Sequence, residues 1–406
     1  MKSIIYLPGV LGKKHSDSAK EYAKRYLYSM DRMDWDRFKK YYLEEEDFHF
    51  GLGGTFTTSV TSIFEYNSKN KEEAVEVCKI YECSYDENFT KKFEKKNAIQ
   101  KLGLVLIILL SKTGTLMKAF FLKNTISGKK KLEILYFLFF LLLISIFALI
   151  LFPAVLTSIT DIVTNALPKD SELSRTIHEK IAPWVAVSHW ITAGLAIVTV
   201  AFPKFRNTVS EKATDFLCMD SYLTMGNNKL ELTGKVESLV EAVLEEDNPD
   251  SLELHSYGFG GIVLIDSIFP YGNIPNYRMA NEIKRVVTIR CPYDFISTYY
   301  PDYFKNRGTF QDIALESWYN IYSDTDILSS NYDISTSNGA NFLNIGELGI
   351  PIKNLPYNLI NTKTLGLWKH LKILSFKTHQ TYWGESAMTA NCLYLIMEQA
   401  LPAETV

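Results

Sequence analysis

Residues 251–269 read SLELHSYGFGGIVLIDSIF, and their reading decides the fold. Ser251–Leu254 reads as a short strand. Ser256–Gly261 is a tight glycine turn, and Ile262–Phe269 is an apolar run of helical type. A strand feeding a helix through so few residues is the joint of a parallel sheet covered by helices.

Outward from this joint the same alternation recurs. Leu230–Leu244 has helical periodicity and ends in Glu-Glu-Asp-Asn-Pro, a stop signal. Arg285–Arg290 (RVVTIR), Ser317–Tyr322 (SWYNIY) and Leu371–Phe376 (LKILSF) are further strands. Towards the N-terminus, Ser3–Leu7 is a buried strand ending in Pro8-Gly9, with a helical stretch near residues 16–30. Thr55–Phe64 and Ala74–Cys83 read as strands, Tyr41–Asp47 as a solvated acidic face or loop, and residues 329–346 as a surface loop. The fold class is α/β, with a mostly parallel sheet and helices on both faces.

The turn also carries chemistry. A serine on a sharp strand-to-helix turn stands out at the sheet edge, where the helix N-terminus offers N–H groups to a developing oxyanion. Leu254-His255-Ser256-Tyr257-Gly258-Phe259-Gly260-Gly261 resembles the nucleophile elbow of the α/β-hydrolase family, lipases and esterases especially. Leu254 stands where the family's G-x-S-x-G has its first glycine, and Gly258 fills the second.

The resemblance extends to pieces in the family's order. It implies Ser256 as nucleophile and Asp326, after SWYNIY, as the acid. His379, after LKILSF, would be the base that takes the serine proton. Asp324 and Asp294 are alternative acids, and His370 is an alternative base. Tyr6-Leu7-Pro8-Gly9-Val10 resembles the loop that supplies an oxyanion donor, so the backbone N–H groups of Val10 and Tyr257 would form the hole. His255 points away from Ser256 along the chain and reads as a packing residue.

The chain has 406 residues, of which 47% are hydrophobic and 13% aromatic, which excludes disorder for most of it. With 43 Lys+Arg against 46 Asp+Glu, the net charge of −3 implies no nucleic-acid partner. Five scattered cysteines without a CxxC pair fit neither a disulfide framework nor a zinc site, and read as reduced, buried thiols. The glycine turn lacks the third glycine of a dinucleotide fingerprint. No P-loop or H-E-x-x-H occurs, so no cofactor is implied.

One region departs from this composition. Ile134–Phe152 is nineteen residues without a charge, and Ile181–Phe202 is likewise uncharged. At about 1.5 Å per residue the first spans roughly 28 Å, close to the bilayer hydrocarbon thickness. Lys129–Lys131 before the pair, with Lys204 and Arg206 after it, favour both flanks on the cytoplasmic side. Gly103–Leu110 is too short to span and reads as a buried or interfacial helix. The expected organisation is an α/β-hydrolase-like domain in two parts, 1–121 and 206–406, interrupted by a transmembrane hairpin over 122–205.

The implied function is a multi-pass, membrane-anchored serine hydrolase with a cytoplasmic catalytic domain. It would cleave an ester or thioester, plausibly of a lipid, through an acyl-enzyme. The alternative is a catalytically inactive hydrolase-like membrane scaffold or partner-binding protein, the reading that Leu254 in the elbow favours.

Overall fold

In the computed structural model the described residues are 1–9, 19–33, 39–67, 70–84, 87–121, 203–271, 276–304, 307, 314–323, 326, 328–332, 352–357, 382–384 and 389–400. They form two compact units. The first takes residues 1–89, 118–133 and 219–406, and the second 90–117 and 134–218, each counted for its described residues.

The first unit is built on one eight-stranded sheet. Its strands are β1 (Lys2–Leu7), β2 (Lys39–Phe50), β3 (Phe56–Asn67), β4 (Asn70–Glu82), β5 (Ser251–Tyr257), β6 (Ile283–Ile289), β7 (Ser317–Tyr322) and β8 (Ile352–Pro356). Their order is β2-β3-β4-β1-β5-β6-β7-β8. The ladder from β4 to β8 is parallel throughout. β3 is antiparallel to both of its neighbours, so it alone runs against the other seven. The expected mostly parallel sheet is therefore present.

The described helices are α1 (Ala19–Met33), α2 (Glu87–Glu94), α3 (Ala98–Phe121), α4 (Pro203–Thr224), α5 (Gly226–Glu246), α6 (Gly260–Ile268), α7 (Tyr277–Asn281), α8 (Tyr293–Tyr299) and α9 (Tyr394–Ala400). α1 covers one face of the sheet, where Tyr22 stacks on Tyr6 with ring centroids 4.1 Å apart. Ile4, Val287, Ile289, Tyr319 and Ile321 share that core with Leu393 and Ile396. α6 follows β5 on the opposite face. A Cβ built at Gly261 would lie 3.5 Å from Ser256 Oγ, so the alternation along β5 sends Ser256 towards α6 and His255 towards α1.

Three elements differ from their reading in the sequence, and a fourth cannot be compared. The acidic Tyr41–Asp47 stretch belongs to β2, although Glu44–Asp47 are exposed as expected. β2 is an edge strand, and charges on its open face guard against edge-to-edge pairing. β8 lacks the alternation that would have marked it as a strand. β5 runs three residues beyond the expected Leu254. LKILSF lies outside the described residues.

Residues 98–121 form the single helix α3, and no described helix is long and apolar enough to cross a membrane. Residues 122–202, which hold both uncharged runs, lie outside the described residues. All five cysteines are free and buried, as read from their scatter. Burial pushes the thiols of Cys78, Cys83, Cys218 and Cys291 up to about 12, which leaves them unreactive at neutral pH.

A buried polar network crosses β5 beneath α1. Glu253, 2% exposed, takes Lys2 Nζ at 3.0 Å, Arg285 Nη1 at 3.0 Å and His255 Nε2 at 2.9 Å. Because the carboxylate only accepts, the His255 proton belongs on Nε2. Nδ1 is then left to accept from the Tyr22 hydroxyl at 2.5 Å. Burial holds His255 below its ordinary 6.5, although Glu253 pulls the other way. Burial alone would raise Glu253, but its hydrogen bond and charge pairing with His255, helped by Lys2 and Arg285, bring it down to about 2.

Both folded values lie below the unfolded ones, so the unfolded chain binds more protons in acid and stability falls with pH. The loss begins as pH drops below about 6.5, where unfolded histidine protonates, and deepens below about 4.5, where unfolded glutamate does. Thermal unfolding followed from pH 7.5 to pH 5 is expected to show a falling midpoint. In His255→Gln the upper part of that fall should be missing.

Candidate functional site

β1 and β5 are adjacent and parallel, yet the helices that follow them lie on opposite faces of the sheet. Their carboxyl ends form the switch point of the sheet, the place where an open α/β sheet usually has its ligand crevice. Pro8-Gly9 leaves β1 on one side of it. Tyr257-Gly258-Phe259 leaves β5 on the other, and a Cβ at Gly9 would stand 3.6 Å from Tyr257 Cδ1.

The turn out of β5 is made by Gly258, whose φ is +55°. Its N–H donates to Ile289 O at 2.8 Å, which fixes the turn to the end of β6. Its own carbonyl accepts from Gly261 N at 3.1 Å as α6 begins. Phe259 is already helical at φ −66°, and its N–H donates to no described group. A Cβ at Gly258 would meet no described residue within 4 Å.

This geometry shifts the register of the motif. Ser256 is inside β5, fully buried, with its hydroxyl donating to Val287 O at 3.3 Å. It faces the underside of α6 rather than the sheet edge, which differs from the expected exposed nucleophile. The physical reason is strand length: β5 continues through Tyr257, and the left-handed residue comes two positions after Ser256. Set on the structure, the small residues of G-x-S-x-G are Ser256, Gly258 and Gly260, and the serine's place is held by Gly258. Leu254 then lies outside the motif, buried mid-strand. Tyr257 is the last residue of β5, one position before the left-handed Gly258.

Asp326 lies just past β7, where the resemblance expects an acid, and is 2% exposed. Both its oxygens are engaged. Oδ1 accepts from Leu328 N at 3.0 Å, and Oδ2 from Arg290 Nε at 2.6 Å. Arg290 was legible only as the last residue of a strand. It follows Ile289 directly and adopts φ +59°, a left-handed conformation that a long side chain rarely takes. Burial opposes its charge, but the adjacent Asp326 outweighs burial and its pKa stands above the ordinary arginine value. The guanidinium carbon is 6.0 Å from the Tyr257 ring centre. Its Nη1 and Nη2 make no hydrogen bond among the described residues.

Aromatic rings wall the crevice on the α1 face. The Trp383 ring lies 5.1 Å and the Tyr382 ring 6.3 Å from that of Tyr257. Arg25 stands 5.2 Å over the Trp383 ring. Trp383 is 2% exposed, and its indole N–H has no acceptor among the described residues.

Of the remaining expected residues, Val10, His379, Asp324 and His370 lie outside the described residues. Asp294 is buried in α8, its N–H donating to Ser330 Oγ at 2.7 Å. His255 packs beneath α1, as read. Among the described residues no three His, Cys, Asp or Glu side chains converge as a metal site requires.

No family model, curated protein or solved structure matches this chain. The crevice therefore has to be interpreted from its own chemistry. Arg290 and Gly258 are its two features that motif reading missed. The signal for Gly258 was present, since small residues recur at 256, 258 and 260. A positive φ at an arginine leaves no trace in a sequence.

Proposed function

We propose that this chain is a membrane-inserted, hydrolase-like binding protein that does not work through a serine acyl-enzyme. The observation that carries the reading is the glycine at the left-handed turn. A nucleophile there would need an Oγ, and Gly258 has no side chain. Ser256, two residues earlier, has its hydroxyl turned under α6. Asp326 offers further support, because its free oxygen is taken by Arg290 rather than left for a histidine.

The membrane part of the reading rests on residues 134–152 and 181–202, whose lack of charge suits two spans with both flanks cytoplasmic. Two crossings return the chain to its starting side, which suits a sheet assembled from residues on both sides of the insertion. The resulting protein presents the β1/β5 crevice to the cytoplasm while held at a bilayer.

A fluorophosphonate probe applied to the full chain in membranes tests the reading. No serine labelling is expected. Labelling that disappears in Ser256→Ala would establish the serine hydrolase instead. Retention of the chain in the membrane pellet after carbonate washing is expected, and its release would remove the anchored part of the proposal.

A further inference from the structure

We infer that α3 lies along the surface of an anionic bilayer leaflet, with an exposed apolar stripe set into the headgroup boundary. The inference rests on the membrane-anchored reading above and says which surface of the second unit meets the lipid.

The stripe follows from helical geometry. At about 3.6 residues per turn, Gly103, Ile107, Leu110, Gly114 and Met117 fall on one face of α3. Ile107, Leu110 and Met117 are 65%, 58% and 44% exposed, and both glycines are exposed with them. A Cβ at Gly103 or Gly114 would meet no described residue within 4 Å. Gln100, Ser111 and Lys118 are exposed along one border of the stripe. The opposite face is already used. Lys101, Val105 and Leu109 are buried there, and Lys101 Nζ donates to Ser210 Oγ of α4 at 3.3 Å. A helix that packs only against protein keeps polar residues on its outer face, and α3 does not.

Position in the chain selects the bilayer as the occupant. α4 begins at Pro203, immediately after the uncharged run 181–202. α3 ends at Phe121, and twelve residues separate it from the uncharged run 134–152. At about 3.5 Å per residue, that connection reaches at most about 40 Å. The two helices joined by the Lys101–Ser210 bond therefore stay near the point where the chain enters the membrane. α3 is not itself apolar enough to cross.

Charge points the same way. Residues 95–132 hold nine lysines and no aspartate or glutamate, although the whole chain is net acidic. A lysine-rich helix with an apolar face suits the cytoplasmic leaflet, where anionic headgroups are concentrated. A second copy of the chain is a poorer occupant. Three large side chains and two glycines fall far short of the about 800 Å² per partner that a stable interface buries.

The test uses the full chain in nanodiscs of phosphatidylcholine with about one third phosphatidylserine. The five native thiols are buried, so a cysteine introduced on α3 can be labelled alone. Ile107→Cys, Leu110→Cys and Met117→Cys each receive the polarity-sensitive fluorophore NBD. A lipid carrying a nitroxide near its headgroup should quench all three labels about two-fold. The same label on Ser111→Cys, at the border of the stripe, should be quenched less. Nanodiscs of phosphatidylcholine alone should weaken the quenching at every stripe position. Labels that emit as in water and escape quenching would overturn the inference. Blue-shifted labels beyond reach of the nitroxide would overturn it as well, because protein, a second copy included, then covers the stripe. Equal quenching at Ser111→Cys and Leu110→Cys means an immersed helix, and unchanged quenching without phosphatidylserine means that charge plays no part; either counts against it. Unquenched labels in a chain that resists carbonate washing overturn this inference alone. Release of the chain by carbonate overturns the anchored reading beneath it.

Discussion

Glu253→Gln is expected to destabilise the first unit by about 3 kcal/mol, more than any single change at the crevice itself apart from one at Gly260. The carboxylate is buried in the centre of the sheet and neutralises Lys2 on β1 and Arg285 on β6 while holding His255 in one tautomer. The amide keeps the shape but leaves two cations without their anion. Breaking a buried pair from one side costs about 3–5 kcal/mol. Lys2 and Arg285 keep side-chain exposures of 31% and 23%, and the access to water places the cost at the lower end. Urea unfolding at pH 7.5 measures it. A loss under about 1 kcal/mol would mean that the two cations are solvated without Glu253, and that the network is a surface feature in energetic terms.

The same network shows how far the sequence can be read. In SLELHSY Leu252 and Leu254 mark one side of the strand, and Glu253 on the other looks solvent-facing although His255 beside it reads as packing. Their burial follows from the neighbours on either side. Lys2 and Arg285 are brought alongside by the parallel pairing of β1, β5 and β6, a long-range fact that no local pattern contains. Five strands and the α5 helix were legible because each is an apolar run bounded by turn residues. The strand–turn–helix joint at 251–269 was legible for the same reason.

The site was legible only in part. The motif located the turn but not the burial of Ser256, because a serine two places before a glycine reads as an exposed elbow until the strand's end is known. Asp326 could be placed after its strand, but not its engagement with Arg290. That pair depends on β6 and β7 ending side by side and on a backbone conformation that arginine seldom adopts. The uncharged runs over 134–152 and 181–202 stand on composition, which is where the membrane proposal keeps its footing.

The three glycines at the start of α6 give an ordered prediction, with Gly260→Ala the most damaging at about 3 kcal/mol. A Cβ at Gly260 would stand 2.5 Å from Leu7 O and 2.7 Å from Pro8 O. Both are backbone atoms at the end of β1, so no side chain can swing aside. Either α6 must lift from the sheet or β1 must shift, and this is the upper end of what overpacking costs. At Gly261 the obstacle is mainly the Cys291 side chain, 2.8 Å away at Sγ, which can give a little, and Gly261→Ala should cost less. At Gly258 there is room, and Gly258→Ala is charged only for its left-handed φ, about 1 kcal/mol. The order of unfolding midpoints is therefore expected to be Gly258→Ala highest, Gly261→Ala next and Gly260→Ala lowest. If Gly260→Ala is as stable as Gly258→Ala, β1 and α6 do not approach as closely as the turn requires.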